Sequence, residues 1–166
     1  MSEPWSRPLE VDRLADGGAE VDFAVPLAEL PGLPAGVAGR VAGRARFART
    51  LELPVAELTV RGAATLECQR CMQPMSVPID TIVKVALVAS EADVARVPQE
   101  LEPMLAPGGR ISIGELITEE LLLTLPIVAL HAAGEPCAAP PGETAAPESG
   151  QDTHKPFARL ADLLRR

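Results

Sequence analysis

The chain has 166 residues, of which 47% are apolar and only 2% aromatic, and it carries a formal net charge of -8. That length suits one domain with a real core and is too short for two domains with separate cores. The acidic balance argues against general polyanion binding, and the scarcity of aromatic rings argues against a base-stacking platform for single-stranded RNA.

Read in order, the start (Met1 to Trp5) is acidic rather than apolar, and no apolar run approaches transmembrane length. With three cysteines and no signal segment, the chain reads as cytoplasmic, with reduced thiols, no membrane contact and no small-molecule substrate. Trp5 to Leu14 alternates loosely, with Leu9 and Val11 on one face, and Asp16-Gly17-Gly18 is a turn signal. Val21, Phe23 and Val25 alternate with charged or small residues, so Glu20 to Val25 reads as a strand that forms a hairpin with the first. Pro26, Pro31, Pro34, Gly32 and Gly36 make a connection in which Leu27 to Leu30 has room for one helical turn.

Val37 to Leu53 reads as a long extended segment. Arg40, Arg44 and Arg46 share one face by period two, and Val41, Ala45 and Phe47 share the other. Pro54 marks the expected turn. Val55 to Cys68 is strand-like again, with Arg61-Gly62 breaking the alternation as a bulge does. Ser76 to Ala89 is the clearest strand, alternating at Val77, Ile79, Thr81, Val83, Val85 and Leu87. Glu91 to Gly109 is an acidic connector with prolines, expected as a solvated loop. Ser112 and Glu115 have capping-box spacing, so a helix is expected from Ile113 to about Leu125, ended by Pro126. Ile127 to His131 is expected to continue extended.

Residues 132–154 hold four acids, four prolines and no lysine or arginine, the composition of a disordered linker. In residues 155–166, Phe157, Leu160, Ala161 and Leu164 follow helical spacing. Such a terminal segment either docks on its own domain or binds a partner. The fold class expected is α+β: a mainly antiparallel twisted sheet with one principal helix in residues 1–131, a disordered acidic linker, and a short amphipathic C-terminal segment.

Two groups of residues carry candidate chemistry. Between Val37 and Met75 six basic residues face three acidic ones, a local +3 within an acidic chain. Arg40, Arg44, Arg46 and Arg70 are the candidate phosphate contacts, although clustered charge usually only solvates a surface. Cys68 and Cys71 form a CxxC, which on its own can share a metal, close a short disulfide loop, or be two small buried residues. Adding His131 and Cys137 gives a Cys3His set, which a structural zinc takes as a closed tetrahedron. The His131 to Cys137 spacing is loose, and there is no second CxxC. A thioredoxin-like role needs the first cysteine at a helix N-terminus, which Pro74 and Pro78 oppose. With no phosphate-binding glycine loop and only two histidines, nothing points to an enzyme.

Four stretches then occur in a telling order: TLECQRCMQPM (Thr65 to Met75), VPQELEPM (Val97 to Met104), ITEELLLTLPIVALH (Ile117 to His131) followed by Cys137, and KPFARLADL (Lys155 to Leu163). Together they resemble the bacterial YceD family, the large ribosomal RNA subunit accumulation proteins. The resemblance covers the C-terminal two thirds well and the N-terminal third only in general character. It implies a non-enzymatic role in the synthesis, processing or stability of large-subunit ribosomal RNA. It carries no established catalytic residues. Cys68 and Cys71 match the family's cysteine motif, and His131 and Cys137 its later His and Cys. The resemblance does not settle the mechanism; the expected mode is binding of large-subunit rRNA or a pre-ribosomal particle, and the alternative, favoured by the net charge of -8, is an acidic adaptor that docks a basic ribosomal protein or a processing factor without RNA contact.

Overall fold

A computed structural model describes residues 4–132 and 135–137. Most of the expected linker and the whole of the expected terminal segment lie outside the described residues. The elements are β1 (Leu9–Glu10), α1 (Val11–Asp16), β2 (Glu20–Pro26), β3 (Ala38–Thr50), β4 (Leu53–Glu67), β5 (Pro74–Val88), α2 (Glu91–Val94), β6 (Glu102–Leu105), β7 (Arg110–Ile111) and α3 (Ile113–Thr124). The class is α+β, as expected. Strands β2 to β6 form one five-stranded sheet in sequence order, and β1 pairs separately with β7.

Strands β2, β3, β4 and β5 are antiparallel neighbours: two residues turn β3 into β4, six turn β4 into β5, and the longer connection 27–37 joins β2 to β3. The two-residue period buries one face. Val41, Ala45 and Phe47 of β3, Leu58 and Val60 of β4, and Ile79 of β5 are all 2% exposed or less. Helix α3 covers that face with Ile113, Leu116, Ile117 and Leu121, all buried, each contributing about 1.5–3 kcal/mol by leaving water. Both halves of the expected capping box are formed: Glu115 N–H donates to Ser112 Oγ, and Ser112 N–H donates to the Glu115 carboxylate. Thr118 donates to the Pro31 carbonyl, which ties the helix to the connection after β2. Trp5 lies so close over Gly114 that a Cβ there would sit 2.9 Å from its ring. The amino-terminal turn is thus seated on the start of α3.

Five readings of the sequence change. Trp5 to Leu14 is not the partner of β2. It holds a helical turn at Pro4–Ser6, the short β1 and the helix α1, and β2 pairs with β3 alone. Val11 and Ala15, four apart, are buried, and Arg49 from the end of β3 binds Asp12 and Asp16 along the helix. The turn after β3 is Leu51-Glu52, one pair before the proline, and Pro54 lies within β4. At Arg61-Gly62 the pairing runs one to one with β3, so there is no bulge. Gly62 is there because a Cβ would collide with the Arg40 carbonyl of the adjacent strand. The acidic connector is not all loop, because β6 forms inside it and pairs parallel to β5. The intervening residues 89–101 supply the long crossover that a parallel pair requires. Ile127 to His131 forms no strand. Among the described residues no helix is long and apolar enough to cross a membrane.

Candidate metal centre

The turn between β4 and β5 is built by the backbone before any metal is considered. Cys68 N–H donates to the Gln73 carbonyl (2.9 Å), and Met72 N–H donates to the Cys68 carbonyl (2.8 Å). Closing so tightly forces Met72 to a φ of 58°, a left-handed conformation that costs a residue with a Cβ about 1–2 kcal/mol. A second strand of chain comes back from α3. Pro126 ends the helix register, and Gln69 N–H donates to the Ala129 carbonyl (2.9 Å) while its side-chain amide reaches the Ile127 carbonyl (3.4 Å). That tether delivers His131. Ala132 and Glu135 then bond each other through backbone and carboxylate, which turns the chain back toward Cys137.

The four candidate ligands therefore converge, although they lie up to 69 residues apart. Cys68 Sγ is 3.7 Å from Cys137 Sγ, and Cys71 Sγ is 3.3 Å from His131 Nδ1. All four donor atoms lie within 4.8 Å of one another. A zinc tetrahedron with Zn–S near 2.3 Å and Zn–N near 2.0 Å has S···S edges of about 3.8 Å and S···N edges of about 3.5 Å. The two close contacts fit those edges. A disulfide does not fit, since bonded sulfurs stand about 2.05 Å apart, and all three cysteines are free. Cys68 and Cys71 are buried, and His131 and Cys137 half-buried.

The electrostatics suit thiolate. Burial pushes the Cys68 thiol up, but the backbone N–H groups of Cys71, Arg70 and His131 and the Cys71 thiol point at its sulfur, and together they bring it down to about 5. Among the described residues Cys137 has no such donors. Burial and the neighbouring Cys68 and Cys71 sulfurs raise it. A cluster of sulfurs that favours one thiolate and penalises the next is one that a cation relieves. With four protein ligands, a metal here would have a filled shell and no open position for substrate.

The candidate phosphate contacts are dispersed. Arg40, Arg44 and Arg46 do share the outer sheet face, as the alternation predicts. Arg44, however, is clamped by Asp22 (2.6 Å) and Glu20 (2.9 Å), and Arg46 binds Glu20 (3.1 Å) with Glu57 at 4.0 Å. Arg61 pairs with Asp80 across the strand. By register the outer face of β2 to β5 carries five basic residues (40, 44, 46, 61, 84) and five acidic (20, 22, 57, 67, 80), so it is neutral overall. Arg40 is exposed without an ion-pair partner among the described residues, and so is Arg70, in the cysteine turn at the same end of the sheet. What the sequence left unseen is the tether through Gln69 and Ala129. It uses backbone carbonyls, which leave no mark in the residue pattern.

Residues 56–164, most of the chain, match the family described as large ribosomal RNA subunit accumulation protein YceD. The chain belongs to the YceD family. That description gives its members a role in accumulation of the large ribosomal RNA subunit. No solved structure matches the chain. All four residues of the candidate metal centre fall within the matched stretch of this YceD protein, whereas Arg40, Arg44 and Arg46 fall before it.

Proposed function

We propose that this YceD protein is a non-enzymatic factor in the synthesis, processing or stability of large-subunit ribosomal RNA, and that it works in the reducing cytoplasm by docking a basic protein component of the assembling particle. The family supports the role, and the neutral outer face carries the mode. A phosphate backbone approaching Arg44 or Arg46 must displace carboxylates already bound there, and the chain around it is acidic. A basic ribosomal protein meets no such opposition.

Zinc at Cys68, Cys71, His131 and Cys137 is part of this reading. It supplies no reaction. It would fix the turn between β4 and β5 against the chain returning from α3, as structural zinc does when four protein ligands close its shell. Purified protein should contain one zinc per chain by elemental analysis, and Cys71→Ser protein should contain none.

One observation favours a second reading, direct contact with rRNA. Arg40 and Arg70 have no ion-pair partner among the described residues and lie at one end of the sheet, where Arg44 and Arg46 could join them by exchanging carboxylates for phosphates. Purification of the tagged full-length protein from growing cells, with and without ribonuclease, separates the two. The adaptor keeps a basic large-subunit protein after ribonuclease treatment. Complete loss of partners on treatment, together with loss of RNA from Arg40→Glu/Arg70→Glu protein, would establish the RNA reading instead.

A further inference from the structure

Helix α3 and strand β6 bound a groove that the described residues leave open. Its apolar floor includes Met104 and Leu105 of β6 and Leu123 of α3, the last 76% exposed. The wider part encloses about 450 Å³, and a narrower part of about 100 Å³ continues from it past Met104 and Glu119. Its rim is acidic. Glu120 accepts a hydrogen bond from Thr81, but Glu102 and Glu119 have no hydrogen-bond or ion-pair partner among the described residues. Among the described residues no basic one lines either part. An apolar floor under unpaired carboxylates is complementary to one kind of occupant, a basic amphipathic helix.

We propose that the occupant is residues 155–166 of the same chain. Phe157, Leu160, Ala161 and Leu164 form a stripe about 10 Å long if helical, against about 12 Å of α3 between Glu115 and Leu123. The segment holds four basic residues (155, 159, 165, 166) and one acidic (162), a net +3, so the remainder of the chain carries -11. The apolar stripe meets the floor, and the flanking cations meet Glu102 and Glu119. The connection is long enough. Cys137 sits by the cysteine turn, and the part of β5 beside β6 begins at Val85, about 36 Å along the strand from Pro74. The 17 residues from Ala138 to His154 span up to about 58 Å when extended. Tethering also keeps the segment at an effective concentration on the order of millimolar, so a modest intrinsic affinity fills the groove.

The chain has two lysines, which makes the test specific. Lys84 lies opposite Glu57 on the outer face, away from the groove, and Lys155 opens the segment. Carbodiimide treatment of full-length protein joins a lysine only to a carboxylate it touches. A mixture of unlabelled and nitrogen-15-labelled protein distinguishes links within a chain from links between chains. The expected product is Lys155 joined to Glu102 or Glu119 within single chains, falling at least about fivefold in Arg159→Glu/Arg165→Glu protein while the Lys84–Glu57 link is unchanged. A Lys84–Glu57 link with none from Lys155 to the groove would overturn the proposal. So would Lys155 links formed only between chains, which would give the groove to a second copy.

Discussion

The two ends of strand β4 solve one problem in opposite ways. Each must reverse the chain into a long antiparallel partner, and each does so with residues other than glycine in the left-handed region. At the β3–β4 end the turn is two residues, Leu51 (φ 50°) and Glu52 (φ 65°), where asparagine and glycine would be the easy choice. Arg49 holds it by donating to the Glu52 carbonyl (2.9 Å) while its other nitrogens bind Asp12 and Asp16 of α1. At the β4–β5 end the strained residue is Met72, and the restraints are thiols, an imidazole and two carbonyls from beyond α3. One turn is anchored by charge to the chain before it, the other by soft ligands to the chain after it. Local strain is tolerated at both ends because distant residues fix the geometry.

The largest loss is expected at the sulfur end. Cys71→Ser, or a chelator acting on the native protein, is expected to lower Tm by roughly 10 °C or more, since a structural zinc carries folding free energy. In hydrogen exchange the amides of Gln69 and Met72 should lose protection before those of the β3–β4 end. An unchanged Tm after complete metal removal would mean that the backbone bonds alone hold the turn. At the charged end, Leu51→Asn with Glu52→Gly should raise stability by about 2 kcal/mol in urea unfolding, because both residues then suit a left-handed pair. Met72→Gly should gain about 1 kcal/mol by the same argument, offset in part by the extra freedom of glycine when unfolded. A loss in either variant would show that the side chain, not the backbone, matters there.

The smallest expected effect concerns the outer face. Hydrogen bonds from Arg44 hold the Asp22 carboxyl below the usual carboxylate range, with slight burial opposing and charge attraction adding to them. A depressed folded value means the pair stabilises the fold above the ordinary aspartate pKa of about 3.9 and loses that contribution as pH falls through the lowered value. Both groups are exposed, so the slope is slight. Carbon-13 titration of the Asp22 carboxyl should show the low value, and Arg44→Ala should return it to normal.

Strict alternation made β3, β5 and most of β4 legible, because one buried face leaves a period of two in the residues themselves. Ser112 and Glu115 announced α3 for a similarly local reason. What failed was decided by tertiary contact. Leu9 and Val11 alternate like a strand, yet Val11 and Ala15 also lie one helical turn apart, and Arg49 reaching Asp12 and Asp16 settles for the helix. Strand β6 contains Pro103, which argues for a loop, and the strand survives because it lies at the sheet edge. In the centre, Cys68 and Cys71 were plain from spacing, but the loose His131 to Cys137 interval became meaningful only once the Gln69–Ala129 bond brought it near. The neutral outer face was hidden for the converse reason. Arg40, Arg44 and Arg46 are visible in one stretch, while the carboxylates that bind Arg44 and Arg46 come from β2 and β4 through register.

The contact between Trp5 and Gly114 makes the chain its own optical probe. This is the single tryptophan, and there is no tyrosine, so intrinsic fluorescence reports one event: whether the amino-terminal turn still sits on the start of α3. It is blind to the sulfur cluster, which belongs to the other end of that helix. An unfolding curve followed by emission and, for protein loaded with zinc, another followed by metal release therefore measure separate parts of the molecule. If they coincide, the fold comes apart as one cooperative unit; if they separate, the interval between them is the independence of its two ends.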